Sequence, residues 1–313
     1  MGQSSIVATG IATGTATPAA PRAAAAGDRL AGPSSLAWRI NGEMVGLLGW
    51  GRAILLQVAH PLVAAGVAEH SHFSSARLDR VQRLQRTLNA MLTLTFGSRD
   101  EAVAVARHID GIHGRVRGAL HEPAGPLPAG APYFARNPEL LRWVHATYVD
   151  SALRVYQLYL GPLSTAQQDS YLRETTAIAP LLHIPDDYLP ATTTALAAYM
   201  KRMLASDEIV VTDTARTLAR ALLAPVAPPL LRPLEWLLQL PIAGLLPPRI
   251  RAAYGLAWSP RHARALALST AASRRVLPRL PAALRRWPIA RAAEHRYAAL
   301  RAAQRSRLRA QCS

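Results

Sequence analysis

Alanine and leucine recur at helical spacing along most of the chain, whereas no stretch alternates apolar and polar residues for long. β-Branched residues, which favour strands, seldom cluster. This pattern predicts an all-α protein with a single globular helical domain. The main helices are predicted over residues 75–96, 99–118, 138–160, 165–179, 190–205 and 213–223, with shorter helical pieces after residue 230.

Several of these helices have recognisable starting points. Pro138 and Pro260 each follow a side chain suited to capping a helix, an asparagine and a serine respectively. Proline is favoured at the first helical position because it needs no backbone hydrogen-bond acceptor there. His60 precedes Pro61 in the same way, so Pro61 is predicted to open the helix that carries His70.

Two apolar segments raise the question of membrane contact. Residues 45–68 contain Arg52 and His60, which are costly in hydrocarbon, so this run predicts buried core helices broken at Pro61. Residues 222–256 are divided by prolines into short apolar pieces bounded by arginines. They predict core packing in an irregular helical region, and the alternative is a surface that rests on a membrane or opens to an apolar substrate.

Composition divides the chain into three parts. Residues 1–35 are small, polar or rich in proline and glycine, which predicts a disordered N-terminal arm. Residues 36–300 form the predicted helical domain, and residues 301–313 form a basic C-terminal tail. The arm has no charged start followed by an apolar core and a cleavage site, so no export signal is recognised. We therefore expect a cytoplasmic protein, with peripheral membrane contact as the alternative.

The charge is strongly basic, with a formal net value of +17. Lys201 is the only lysine, and the arginines accompany abundant alanine and proline, as a GC-rich genome would produce. The Phe and Tyr residues are not interleaved with the arginines as base-stacking platforms would be, so no nucleic-acid partner is expected. Cys312 is the only cysteine, which excludes an intramolecular disulfide and a zinc or iron–sulfur site built from several cysteines.

Candidate chemistry is concentrated on two predicted helices between residues 80 and 118. Arg83, Arg86 and Thr87 stand at i, i+3 and i+4 and share one helical face, which is solvated in the simplest interpretation. On the next helix, His113 is predicted to share a face with four residues, Ile109, Asp110, Val116 and Arg117. This face could bind a metal through the imidazole and offer the Arg117 guanidinium to an acidic group. The alternative is a core histidine with its hydrogen bonds satisfied.

Three glycines, Gly111, Gly114 and Gly118, recur on an adjacent stripe of that helix. Each costs a helix interior roughly 1 kcal/mol relative to alanine, so the stripe calls for a packing reason. We expect another helix, or a flat ligand, to approach it closely.

Two common enzyme classes are excluded by the motifs. The chain has no HExxH zinc motif, and His70 and His72 lie on different helical faces. It also has no GxSxG elbow and no strand to hold one, which excludes a serine hydrolase of that type.

A series of motifs resembles the family of latex clearing proteins and MpaB-type oxygenases. In chain order the motifs are HPLVAAGVAEHS, RLQRT, FG, IHGRVRG, NPELLRWVHATYVDS, LP and YGLAW, and the resemblance runs over about residues 50–296. Members of this family are α-helical proteins that bind one b-type haem through a proximal histidine. The resemblance therefore implies a haem pocket between core helices and cleavage of hydrophobic, isoprenoid-like chains with dioxygen.

The resemblance also assigns roles to residues of this sequence. It implies His113 as the iron ligand and places Arg83 and Thr87 beside the haem, with Arg86 on the same face. Three other histidines, His60, His70 and His145, are implied to line or brace the haem pocket, and His72 is incidental.

One position departs from the family pattern. Latex clearing proteins carry a lysine before the threonine, whereas this chain has Arg86, which can pair with a propionate or polarise oxygen but cannot ligate iron. This difference from latex clearing proteins argues against rubber itself as the substrate. The alternatives are a haem-dependent hydroxylase or dehydrogenase of a small natural product, and a non-catalytic helical haem-binding protein.

Overall fold

The computed structural model describes residues 32–70, 77–185, 187–224 and 228–311. Its α-helices, in chain order, are α1 (Leu36–Asn41), α2 (Leu47–Gln57), α3 (Pro61–His70), α4 (Arg77–Phe96), α5 (Arg99–His113), α6 (Pro138–Tyr159), α7 (Thr165–Thr176), α8 (Thr193–Ala205), α9 (Asp213–Leu223), α10 (Arg232–Gly244), α11 (Pro248–Ala253), α12 (Pro260–Val276), α13 (Ala282–Arg285) and α14 (Pro288–Gln311). Two short strands, β1 (Arg117–Ala119) and β2 (Pro132–Phe134), pair antiparallel. The predicted mostly α-helical single domain is confirmed.

The long helix α6 lies at the centre of the main core and packs along α2. Trp143 of α6 is fully buried, and its indole N–H donates a hydrogen bond of 3.2 Å to the backbone oxygen of Leu56. Gly49 of α2 lets the two helices approach, because a Cβ there would lie 2.9 Å from the backbone oxygen of Ser151. The Asn137 side chain caps α6 by accepting from the Glu139 backbone N–H, as predicted.

A buried ion pair joins these two helices. Arg52 of α2 is only 2% exposed, and its guanidinium contacts a carboxylate oxygen of Asp150 at 2.8 Å. The same guanidinium donates to the Ser151 hydroxyl at 2.6 Å and to the backbone oxygen of Leu245 at 2.8 Å. A charge in the apolar run 45–68 is therefore accommodated in the protein core by hydrogen bonds on several sides.

The helix break predicted at Pro61 is confirmed, and α2 and α3 meet at a bend of 106°. His60 stabilises the start of α3, because its Nδ1 accepts from the backbone N–H of Leu62 at 3.3 Å. Over the described ranges, no single helix has the length and apolar character to cross a membrane. By those two measures alone, the bent pair Met44–Gln57 and Pro61–His70 meets the requirement together.

The helix predicted over residues 99–118 is too long, since α5 ends at His113. Gly114 follows as the C-cap, and the chain then turns into β1, where Arg117 pairs with Phe134 of β2. Gly111 thus lies inside α5, Gly114 follows its last residue, and Gly118 lies in β1, so the three glycines do not stand on one helix. Val116 and Arg117 consequently do not share a helical face with His113, and the prediction that they do is wrong.

The interpretation of the three glycines as a packing stripe is also wrong. A Cβ on Gly111 would meet nothing within 4 Å among the described residues. At Gly114 it would meet the Arg136 guanidinium at 3.1 Å, and at Gly118 it would collide with the Tyr133 hydroxyl. Gly114 and Gly118 thus leave room for the Arg136 and Tyr133 side chains, respectively, and are not the contact surface for another helix.

Other predicted boundaries also differ from the structure, and one of them is the helix start predicted at residue 190, since α8 begins at Thr193. The helix predicted over residues 165–179 ends at Thr176, and the next residues form a separate 3-10 turn over Ala179–Leu182. Residues 301–311, which were expected to form part of a basic tail, continue α14.

Candidate functional site

A cavity of about 270 Å³ lies among the central helices. Its walls come mainly from α2, α4, α5 and α6, with α1 and α7 closing one side. Most of its lining is apolar, including Ile54, Leu94, Ile109, Leu141 and Val144. An apolar cavity with a few polar groups is the usual form of a small-molecule or cofactor site.

His113 lines this cavity from the last position of α5. The side chain is half-buried, and this burial is the main reason that its pKa lies below the ordinary value. The carboxylate of Asp110 acts in the opposite direction, and the Arg136 guanidinium lowers the pKa further. His113 is therefore a neutral imidazole at pH 7, which is the form that binds a metal ion.

Asp110 is held firmly one turn before His113. Its carboxylate accepts two hydrogen bonds from Arg136, at 2.8 and 2.6 Å, and these hold its pKa below the usual value. The His183 imidazole approaches the same carboxylate at 3.5 Å. A fixed negative charge thus lies close enough to His113 to raise the pKa of its imidazole in part, although burial keeps that pKa below the ordinary value.

His145 of α6 lines the same cavity and is the most unusual polar group in it. It is 8% exposed, and neither ring nitrogen makes a hydrogen bond of acceptable geometry. Burial lowers its pKa to about 4, and the nearby backbone of Thr175 offsets this only in part. An imidazole buried without partners is costly to a fold, so His145 is available to a ligand in the cavity.

One end of the cavity carries a polar network centred on Asn41. The Asn41 side-chain oxygen accepts from the hydroxyls of Tyr171 at 2.9 Å and Tyr148 at 3.3 Å, and its amide donates to the Thr95 hydroxyl at 3.1 Å. Burial raises the pKa of Tyr148 to about 12. Glu174, which also lines the cavity, accepts from the backbone N–H of Ala37 at 2.6 Å. The motifs gave no sign of these groups.

Three of the site residues predicted from the sequence line the cavity, namely Thr87, His113 and His145. Thr87 is exposed and therefore lies at the cavity mouth. Arg86, its neighbour on α4, is exposed and is not part of the described lining. Arg83 lies on α4, but its side chain is outside what the structure describes, as is all of His72.

The remaining predicted site residues lie outside the cavity lining, as far as the described residues show. His60 is 6% exposed and caps α3, whereas His70 is exposed at the other end of that helix. The His70 Nε2 lies 3.2 Å from both the backbone oxygen of Arg117 and the hydroxyl of Tyr133. Tyr133 also donates to Glu69 at 2.5 Å, so this group of side chains joins α3 to the hairpin.

The free energy of unfolding of the ligand-free protein is expected to fall between pH 7 and pH 5. Burial sets the pKa of both His60 and His145 at about 4, below the ordinary value of 6.5, so the unfolded chain takes up protons first as the pH falls. Each histidine accounts for about 2 kcal/mol over this interval. Urea unfolding at pH 7 and at pH 5 measures the total change in the free energy of unfolding.

Two variants make that measurement specific. His145→Gln removes one buried imidazole and should reduce the pH dependence by up to about half, because His60 and His113, whose pKa values are also lowered, remain. His108→Gln removes an exposed histidine of α5 and should leave it unchanged. Equal pH dependence in His145→Gln and the wild type would contradict the explanation.

The fold and the site together define a class of protein, a helical domain with an apolar, histidine-lined cavity between its central helices. The chain belongs to the family described as ER-bound oxygenase mpaB/B'/Rubber oxygenase, catalytic domain, whose model matches residues 38–276. It is thus an oxygenase-type catalytic domain. Comparisons with curated proteins and with solved structures each gave no match.

Proposed function

We propose that this domain binds one haem b in the cavity and uses it, with dioxygen, to oxidise a hydrophobic substrate. The observation that carries the proposal is the convergence of His113 and His145 on a single apolar cavity, in a chain of this oxygenase family. A substrate with isoprenoid-like character suits the apolar walls.

The residues present fit a haem. The described residues contain no group of three or more His, Cys, Asp or Glu side chains able to hold a metal ion by themselves. A haem iron needs only one imidazole from the protein, because the porphyrin supplies four ligands. The apolar lining suits the macrocycle, and the unpartnered nitrogens of His145 mark a place where a polar atom of a ligand is favourable.

His113 is the residue that we assign as the iron ligand. It is neutral at pH 7, it ends a well-capped helix, and Asp110 provides a carboxylate one turn away. Helix α5 begins with a capping box formed by Ser98 and Glu101, which fixes the start of the helix that carries both groups. His145 is assigned to orient a polar atom within the cavity.

When bound, haem supplies the oxygen chemistry, and the protein supplies orientation, water exclusion and polar control. Thr87 at the mouth can donate a hydrogen bond toward dioxygen or substrate. Arg83 and Arg86 provide positive charge on the same helix for the carboxylates of the cofactor or for negative charge that develops on dioxygen. The Asn41 network and Glu174 hold another part of the cavity wall in a fixed shape.

The proposal is tested first by the visible spectrum of protein purified after expression with a haem supply. We expect a Soret band and one extractable haem b per chain. Purified protein without haem that also fails to take up added hemin would overturn it. Dioxygen consumption by the reduced holoprotein with a panel of isoprenoids, followed by product analysis, then separates double-bond cleavage from hydroxylation, from dehydrogenation and from non-catalytic haem binding.

Thr87→Ala and Arg83→Ala are expected to retain haem and to lower turnover, for Thr87→Ala by on the order of a hundredfold. The reason is that a preorganised donor at the cavity mouth acts on the reacting groups and does not hold the iron. Haem occupancy and oxygen-dependent product formation should be measured on the same preparations. Thr194→Ala, at an exposed position of α8, serves as the control and should behave as the wild type. Wild-type turnover in both variants would remove this helical face from the mechanism.

A further inference from the structure

Helix α10 and the turn before it expose an unusual number of large apolar side chains. Among the described residues, eleven large hydrophobic side chains are exposed, and six of them fall within residues 230–238. They are Leu230, Leu231, Leu234, Trp236, Leu237 and Leu238, which we call the leucine patch. Soluble monomers seldom expose contiguous apolar surface of this kind, so the patch calls for a partner.

The patch protrudes because only the second half of α10 is packed into the fold. Leu240 and Pro241 are buried, and Ile242 fills the space beside Gly51, where a Cβ would lie 2.6 Å from it. The first half is 37 to 54% exposed at its large apolar side chains, and Leu230 in the preceding turn is 88% exposed. The helix is thus fixed at one end and presents its other end to the surroundings.

The charge of the chain is concentrated in the same part of the sequence. Residues 221–313 contain 16 arginines, no lysine and two glutamates, which gives a formal net charge of +14 out of the total of +17. A GC-rich genome accounts for the number of arginines but not for this uneven distribution. Exposed apolar residues within a strongly basic region match the surface of an anionic bilayer.

Basic residues also lie directly beside the leucine patch. Arg232 is exposed within α10 itself. The Trp236 ring lies 5.8 Å from the His262 ring, which places the first turn of α12 next to the patch. Arg261 and Arg264 in that turn are exposed. Tryptophan and leucine flanked by arginine are the residues that lie in the headgroup region of a membrane.

We propose that the leucine patch docks on an anionic lipid surface, with the apolar side chains inserted at the headgroup boundary and the neighbouring exposed arginines, Arg232, Arg261 and Arg264, paired with lipid phosphates. The docking is peripheral. It is independent of haem binding, because no residue of the patch lines the cavity as described.

The test is sedimentation of the full chain with vesicles of phosphatidylcholine alone and of phosphatidylcholine and phosphatidylglycerol in equal parts. We expect binding to the anionic vesicles to be about tenfold stronger and to weaken as salt is raised. The paired substitution Leu234→Gln with Leu238→Gln should lower anionic binding about tenfold at unchanged charge. Leu284→Gln, at another exposed leucine of the same basic region, is the matched control and should bind as the wild type. Circular dichroism checks that all variants are folded.

Three results would each overturn the proposal. The first is wild-type vesicle binding by the paired glutamine variant. The second is concentration-dependent dimerisation without vesicles that the same variant abolishes, because this would assign the patch to a second copy of the chain. The third is binding of single-stranded RNA that is unaffected by the leucine substitutions, together with no binding to anionic vesicles, which would make the basic region a nucleic-acid surface.

Discussion

Replacing His113 by alanine is expected to abolish stoichiometric haem binding while the protein stays helical. The imidazole is the group that we assign to the iron, and the end of α5 offers no other side chain that can replace it. Loss of a direct ligand should cost more than the roughly 10–100-fold that loss of an outer-shell partner costs. Hemin titration followed by absorption spectroscopy measures the loss, and circular dichroism reports the helical content.

His108→Ala is the matched control, since His108 is an exposed histidine five residues earlier on the same helix. It should bind haem as the wild type does. His113→Gly with added imidazole should recover the spectrum, because the free ligand can enter the space that the side chain leaves. If His113→Ala keeps full haem content with an unchanged spectrum and His145→Ala loses it, the iron ligand is His145 and our assignment is wrong.

Replacing Asp150 by alanine is expected to destabilise the fold by about 3–5 kcal/mol. Arg52 is 2% exposed, and this change leaves its guanidinium buried without the carboxylate that neutralises it. The hydrogen bonds from Arg52 to Ser151 and Leu245 remain but carry no negative charge. The free energy of unfolding from urea titration is the measurement.

Arg154→Ala supplies the control on the same carboxylate. Its side chain is 57% exposed, so loss of its ion pair with Asp150 should cost less than about 1 kcal/mol. The paired change Arg52→Met with Asp150→Leu should be less destabilising than Asp150→Ala, because no unpaired charge stays buried. Equal destabilisation by Arg154→Ala and Asp150→Ala would show that burial of the pair is not what matters.

Features of the fold that depend on neighbouring residues were predictable from the sequence. Asn137 and Ser259 each cap a helix that starts with proline, and α9 runs over Asp213–Leu223 as predicted. The start of α3 at Pro61 is predictable for the same reason, because helix capping involves residues only three or four positions apart.

The end of α5 shows where this local reasoning fails. Residues 114–118 can be written as a continuing helix, and only the distant strand β2 decides otherwise. Tyr133 packs between Gly118 and Glu69, and that contact joins the hairpin to α3. A single sequence does not reveal a partner that pairs across an intervening loop, so the local pattern predicts a helix that continues through residue 118 and carries the three glycines as a stripe.

The candidate site also has residues that the sequence predicts and residues that it does not. Thr87, His113 and His145 are predictable because they stand in motifs that resemble the oxygenase family, and they do line one cavity. Asn41 and Glu174 were missed because their importance comes from contacts over long sequence separations. Tyr171 and Asn41, for example, are joined by a hydrogen bond across 130 residues. Nothing near either residue in the sequence points to the other.

The unpartnered imidazole of His145 has a consequence for how much folded protein a cell can hold. An imidazole buried without a hydrogen bond of good geometry lowers the stability of the ligand-free chain by about 1–3 kcal/mol. A molecule that binds the native state and forms hydrogen bonds with His145 removes this cost, and its binding stabilises the folded protein further. Marginal stability governs the fraction that proteases remove. The abundance of this protein should therefore follow the supply of its ligand, and chains made when that supply is short should be degraded faster.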